Sequence, residues 1–222
     1  MYFFCTQMID GKASGIEHAM MKRLKVFQAN NQVAMILTRD YNRTYHRNLS
    51  INGLRDEQAI NMFDYFQEAV QENVKNIVDP NKLIVPKDSL EIRKTGSWLY
   101  SLGDCLRMKI TFFKEQHQRI DTVSMFDSFG HEVQRDRYDV RGFLSLRETL
   151  DFDGNVANET MFTPTGKIVY QSYYRRTPDG NVINSLLRLV NYRGNDYDFD
   201  NLDELLRFFF DEINNNRSEE TR

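Results

Sequence analysis

At 222 residues the chain is long enough to bury a core without staples, and its organisation points to two small units rather than one large domain. A net charge of −3 and a pI near 5.9, with acids and bases interspersed throughout, exclude the broad basic field of a nucleic-acid binder. Cys5 and Cys105 are too few for a disulfide framework and lack metal-ligand spacing, which fits a reducing cytoplasm, and no stretch reaches the roughly 20 apolar residues of a membrane span.

In chain order, Tyr2-Phe3-Phe4-Cys5-Thr6 is continuously apolar and β-favouring, as expected of a strand covered on both faces. The absence of a basic leader before it argues against a signal peptide. Ser14-Gly15-Ile16-Glu17 has the form of a capping box, in which hydroxyl and carboxylate satisfy each other's backbone donors. Ile16, Ala19, Met20, Leu24 and Phe27 follow at helical spacing, with Lys22, Arg23 and Lys25 outward and basic last turns suited to the dipole. Asn30-Asn31 ends that helix, and Val33–Thr38 reads as a second buried strand. The spacing predicts another amphipathic helix from Asp56 to about Val70, with Ile60, Phe63 and Phe66 inward.

Pro86 and mixed polarity mark a crossover between Ile84 and Leu90. Arg107–Phe112 then alternates strictly, which predicts a strand with one wet and one buried face. Gly130, Gly142, Gly154, Gly166 and Gly180 recur at intervals of 12, 12, 12 and 14, the rhythm of an antiparallel hairpin ladder. Gly142 fits either a turn or a bulge inside a strand. Leu187 and Leu189 continue the alternation. Asn201–Glu204 opens a final helix with Leu202, Leu205, Leu206, Phe209 and Ile213 as its stripe, and a polar tail begins at Asn214. The fold class expected is α/β + β, a partial Rossmann-like domain with an inserted antiparallel β-meander. Its parts are an α/β part over 1–90, the meander over 91–199, and a returning helix and tail over 200–222.

Two segments could carry chemistry. Asp10–Gly15 follows the first strand, where wound α/β sheets bind ligands, and Ser14 with Gly15 could present backbone amides to a phosphate, although an ordinary tight turn explains the same residues. It lacks dinucleotide glycine spacing, and Glu17 already brings a carboxylate to that helix end. His18 lies one turn in and reads as a crevice, packed or surface histidine. Arg39, Tyr41, Arg43, Tyr45, His46 and Arg47 follow the second strand and interleave cations with aromatics. Such a segment could hold a polyanionic or sugar-containing acceptor, or be a solvated loop with stacked side chains. Tyr170, Tyr173, Tyr174, Arg175 and Arg176 read as a recognition surface or as sheet packing. Asp153 and Asp179 belong to hairpin turns. No nucleophile-base pair, metal cluster or Walker loop is present, so neither a catalytic residue nor a metal ligand is assigned.

Met1–Phe4, Ser14–Ala19, Thr38–Tyr41 with Tyr45–Arg47, and Asn61–Gln67 together resemble the N-terminal part of bacterial poly(glycerol-phosphate) α-glucosyltransferases. These are similar to the wall-teichoic-acid glycosyltransferases and to the transferase subunit that modifies serine-rich adhesins. The resemblance spans essentially the whole chain, meander included, and implies a GT-B architecture whose C-terminal donor domain, with its Glu-x7-Glu motif, lies outside it. It implies metal-independent, configuration-retaining transfer of glucose or N-acetylglucosamine from a UDP-sugar, without a cofactor, to teichoic acid or a glycoprotein. Ser14 and Gly15 would then meet the donor diphosphate across the cleft. The expected setting is cytoplasmic, at the inner face of the membrane, in a homo- or hetero-oligomer without nucleic acid. The other reading is a noncatalytic oligomerisation or partner-binding module built on the meander.

Overall fold

The computed structural model describes residues 1–71 and 76–220. The chain divides into two compact units, one of Met1–Glu72 with Asp198–Arg222 and the other of Asn73–Tyr197.

The first unit begins with β1 (Tyr2–Thr6), α1 (Gly15–Ala29), β2 (Ala34–Thr38), α2 (Tyr45–Ile51), β3 (Ala59–Asn61) and α3 (Met62–Phe66). The three strands pair in parallel in the order β1-β2-β3, with Phe4 opposite Ile36 and Ile36 opposite Ala59. Leu24 of α1, Ile36 of β2 and Leu49 of α2 lie in one core with Ile9, Met20 and Tyr45. Each large side chain so buried contributes roughly 1.5–3 kcal/mol.

Central β2 is buried, but β1 is an edge strand with Tyr2 and Cys5 exposed, so its apolar run is not covered on both faces. Ile16 is 80% exposed, because Met20, Met21 and Leu24 define the inward stripe. The last turn of α1 carries no basic residue. The predicted helix over Asp56–Val70 is instead a short 3-10 turn at Asp56–Gln58, then β3, then α3. Ile60 pairs with Leu37 as a strand residue, and Asn61 ends that strand and caps α3, accepting from the N–H groups of Phe63 and Asp64.

The second sheet has ten antiparallel strands in strict chain order. They are β4 (Leu90–Lys94), β5 (Ser97–Leu102), β6 (Cys105–Phe113), β7 (Gln116–Phe126), β8 (Glu132–Tyr138), β9 (Leu144–Leu150), β10 (Val156–Phe162), β11 (Ile168–Arg176), β12 (Val182–Tyr192) and β13 (Asn195–Phe199). The glycine rhythm is a repeated turn. Asp127, Asp139, Asp151, Thr163 and Thr177 each accept through their carbonyl from the glycine three residues on. In four of these turns the first side chain also caps the N–H four residues on, as Asp151 does for Asn155 at 2.9 Å and Thr163 for Lys167 at 3.1 Å. Gly142 is a turn residue, with its N–H 2.8 Å from the Asp139 carbonyl, and not a bulge within a strand.

Register aligns Trp98, Ile110, Val123, Asp136, Arg147, Thr160, Gln171 and Arg188 as one rung from β5 to β12. That face is apolar over β5–β7, where Tyr100, Met108, Ile110, Phe112, Ile120 and Val123 form a core, and polar beyond. On β9–β12 the opposite face is buried instead, through Leu146, Met161, Tyr170, Leu187 and Leu189. A twist of roughly 20° per strand, accumulated across the sheet, allows its two ends to bury opposite faces.

After β13 the chain rejoins the first unit through α4 (Leu202–Glu220), opened by Asn201, whose side chain accepts from Glu204 N–H at 3.1 Å. Leu205, Phe209 and Ile213 are its buried stripe, and the Phe209 ring meets Tyr65 at 5.4 Å and Phe66 at 6.1 Å. The expected tail from Asn214 is therefore helical as far as Glu220, and Thr221 and Arg222 lie outside the described residues.

Candidate functional site at the carboxyl edge of the parallel sheet

All three parallel strands of the first unit deliver their following segments to one edge, the place where open wound sheets bind ligands. The segments after β1 and β2 are tied together. Arg39 and Asp40 donate backbone N–H groups to the Gln7 carbonyl at 3.0 and 2.8 Å. From α2, Asn48 Nδ2 reaches the Ile9 carbonyl at 3.0 Å and Asn52 Nδ2 the Asp10 carbonyl at 2.8 Å. Buried Asn61 joins β3 to the same edge, donating to Thr38 Oγ1 at 2.9 Å and to the Asp40 carbonyl at 2.8 Å. These three asparagines escaped the sequence reading of the site, since only the fold places them beside the backbone they bind.

At the α1 terminus, Ser14 Oγ accepts from Glu17 N–H at 3.3 Å, and the Glu17 carboxylate accepts from Ser14 N–H and, at 3.1 Å, from Asp10 N–H. Burial of Glu17 opposes ionisation, but the bonds from Ser14 and Asp10 and the proximity of His18 outweigh it and hold the carboxyl below its ordinary value. Glu17 thus supplies an internal anion to this end of the helix. Ser14 and Gly15 are exposed, and a Cβ added at Gly15 would meet nothing within 4 Å. His18 is exposed on α1.

The basic-aromatic segment divides. Arg39 Nε donates to Asp40 Oδ1 at 2.7 Å, and its Nη1 lies 3.7 Å from Asp203 Oδ1 of α4, which together raise the affinity of the guanidinium for its proton. Tyr41, half-buried, packs its ring edge-on against Phe63 at 6.1 Å, and Arg43 and Arg47 are half-buried. Tyr45 and His46 instead begin α2 and turn inward, at 2% and 6% exposure. Burial pushes the Tyr45 hydroxyl strongly up. His46 is held on both sides, Nδ1 at 2.9 Å from Asp56 and Nε2 at 2.7 Å from Asp64. These two residues belong to the interior, where they support the edge.

In the second unit Tyr170 and Tyr174 lie on the sheet face opposite Tyr173, so the aromatic run does not form one surface. Tyr170 is buried, Tyr174 donates to Glu159 at 2.8 Å, and Arg176 pairs with Asp153 at 2.9 Å. Among the described residues no group of three or more His, Cys, Asp and Glu is placed to hold a metal ion. At this edge Ser14 and Gly15 are exposed, with the Ser14 N–H already bonded to Glu17, and Arg39, Arg43 and Arg47 are half-buried, with Arg39 paired to Asp40.

The fold defined in this way is a mixed α/β protein, with a three-stranded parallel sheet in one unit and a ten-stranded antiparallel meander in the other, between the first unit's two chain segments. No family model matches the chain, and comparison with curated proteins returns no significant match. Solved structures do share its fold. It is similar to a chain of the glycosylation-associate protein complex of Streptococcus agalactiae, with a TM-score of 0.70 and 16% identity over 95% of this chain and 43% of that one. It is similar to an S. aureus TarM mutant solved with fondaparinux, α-GlcNAc-glycerol and UDP, with a TM-score of 0.70 and 18% identity over 96% of this chain and 43% of that one. It is also similar to the pneumococcal O-GlcNAc transferase GtfA in complex with UDP and GlcNAc, with a TM-score of 0.68 and 14% identity over 96% of this chain and 41% of that one. The chain spans well under half the length of these proteins, and the likeness agrees with the resemblance carried by its sequence.

Proposed function

We propose that this chain is the acceptor-side, Rossmann-like part of a retaining GT-B glycosyltransferase that moves glucose or N-acetylglucosamine from a UDP-sugar to teichoic acid or a serine-rich surface protein. The observation that carries the reading is the match over nearly the whole chain, meander included, to proteins solved with UDP together with GlcNAc or α-GlcNAc-glycerol. In this reading Arg39, Tyr41, Arg43 and Arg47 face the acceptor, while buried Tyr45 and His46 hold that segment in place. Exposed Ser14 and Gly15 approach the donor diphosphate opposite a second, donor-binding domain. The protein works in the cytoplasm at the inner membrane face. Cations and helix dipoles stabilise the departing diphosphate, and most of them belong to the donor-binding domain.

Two measurements test this. The purified 222-residue chain is expected to bind glycerol-phosphate oligomers, and Arg43→Gln with Arg47→Gln is expected to weaken that binding. Equal affinity in the double variant removes the basic segment from the acceptor site. The same chain is expected to turn over neither UDP-glucose nor UDP-N-acetylglucosamine, and measurable transfer would overturn the division of labour between two domains.

A second reading, a noncatalytic oligomerisation or partner-binding module, is favoured by Phe129 and Phe152. They stand 83% and 79% exposed on the β7–β8 and β9–β10 turns, and the His131 ring lies 4.7 Å from Phe152. Several proteins of this fold were solved as complexes. A monomer at all concentrations in sedimentation would exclude self-assembly.

A further inference from the structure

The meander contains a cavity of about 650 Å³ that the proposed transfer chemistry does not use. That volume falls within the range of small-ligand sites. It lies where residues 77–81 cross the apolar end of the sheet, and its construction is specific. The Val78 N–H is bound to the Gly142 carbonyl at 2.8 Å, which fixes the crossing segment to the β8–β9 turn. Gly142 has φ +99°, and a Cβ there would meet Arg119 Nη1 at 2.6 Å and Ile77 Cγ2 at 3.0 Å. The missing side chain is what lets Arg119 and Ile77 close that wall. Arg119 donates to the Arg141 carbonyl from the same Nη1.

On another wall the Arg93 guanidinium lies 3.8 Å from the centre of the Trp98 ring, bonded to the Glu91 carboxylate and, at 3.2 Å, to Asn81 Oδ1. Trp98 in turn meets Phe112 edge-on at 5.0 Å. Asp79 also lines the cavity, but its carboxylate caps the turn that follows it, accepting from Asn81 N–H at 2.9 Å. The Asn81 amide is internally engaged, its Oδ1 with Arg93 and its Nδ2 with Asp79 at 3.1 Å, so the site offers two guanidinium groups, the amide of Gln118 and the apolar surfaces of Ile77, Val78 and Pro80.

We propose that this cavity in the meander binds a sugar unit carrying one anionic group, a carboxylate or a phosphate. A guanidinium has five N–H donors, so Arg119 and Arg93 retain donors for such an anion beyond the bonds they already make, and the planar amide of Gln118 suits a hydroxyl group. A nucleotide base fits less well, because one face of Trp98 is already covered by Arg93 and Phe112 meets the ring edge-on. The apolar surfaces of Ile77, Val78 and Pro80 suit the C–H face of a pyranose. Every residue of this site belongs to the second unit, and none to the segments assigned to the transfer reaction.

Trp98 is the only tryptophan in the chain, so its emission reports on the site directly. The full chain is titrated with a hyaluronan tetrasaccharide, with glucose 6-phosphate, with chitotetraose and with UDP, following Trp98 fluorescence and, independently, heat. Saturable binding of the tetrasaccharide, the sugar phosphate or both is expected, the two probes separating carboxylate from phosphate. Chitotetraose and UDP are expected to bind at least tenfold more weakly, and Arg119→Gln and Arg93→Gln each to lose about tenfold in affinity for the anionic probe. Arg93 is half-exposed, so its variant provides the reading even where Arg119→Gln fails to fold. Failure of both anionic probes to bind overturns the proposal. So does equal binding of chitotetraose or UDP, or unchanged affinity in folded Arg93→Gln.

Discussion

Asp64 Oδ2 lies 2.7 Å from His46 Nε2, a pairing that joins the first turn of α2 to α3 across 18 residues of chain. Both residues are buried, and the other ring nitrogen faces Asp56. A neutral imidazole carries a single N–H, so donation to both carboxylates requires the imidazolium. Removing one partner of a buried ion pair costs about 3–5 kcal/mol, because the charge that remains has lost its compensation. His46→Leu is therefore expected to lower the stability of the first unit by that amount, measured by urea unfolding. A change below about 1 kcal/mol would show that the pair has little structural weight.

Glu17 gives the acid limb of stability a definite sign. Its carboxyl is held below the ordinary value of 4.5, so the folded state releases its proton more readily than the unfolded chain. The stabilisation is full above the unfolded value and fades as pH falls through the folded one. Glu17→Gln is expected to reduce stability near neutral pH and to flatten its decline below about pH 5. Ser14→Ala, which removes the other half of the box, is expected to cost about 1 kcal/mol with little pH dependence. Parallel acid limbs for Glu17→Gln and the parent chain would refute the assignment.

The hairpin glycines should not be equivalent. Gly154 and Gly142 have φ of +80° and +99°, but a Cβ at Gly154 meets nothing within 4 Å whereas one at Gly142 runs into Arg119 and Ile77. Gly154→Ala is expected to cost about 1–2 kcal/mol from backbone conformation alone. Gly142→Ala is expected to cost more and to shift Trp98 emission, because the cavity wall must move. Equal unfolding midpoints for the two variants would contradict this difference.

Phe129 and Phe152 are exposed at hairpin turns, so replacing both with Ser should change stability by no more than about 0.5 kcal/mol. If the meander mediates self-association, the double variant should sediment as a smaller species at concentrations where the parent chain assembles. Retention of the parent's concentration dependence would place the contact elsewhere.

Much of the fold was legible because its signals are local. The Ser14–Glu17 box, the Asn201 cap and the glycine rhythm each depend on residues within a few positions of one another. They appear in the structure as hydrogen bonds spanning three or four residues. The segment around Asn61 was not legible, since a three-residue strand acquires its identity from pairing with β2 more than 20 positions earlier. Without that partner, the spacing of Ile60, Phe63 and Phe66 is indistinguishable from one amphipathic helix.

The sequence alone determined where the chain turns and caps, and therefore that a hairpin ladder lies between α/β segments. Those choices are governed by backbone dihedrals and neighbouring donors. Only the tertiary structure decided that Tyr45 and His46 face inward, that the meander buries opposite faces at its two ends, and that Arg119 reaches Gly142. Each depends on groups brought together from distant positions, where burial, charge pairing and excluded volume outweigh local preference.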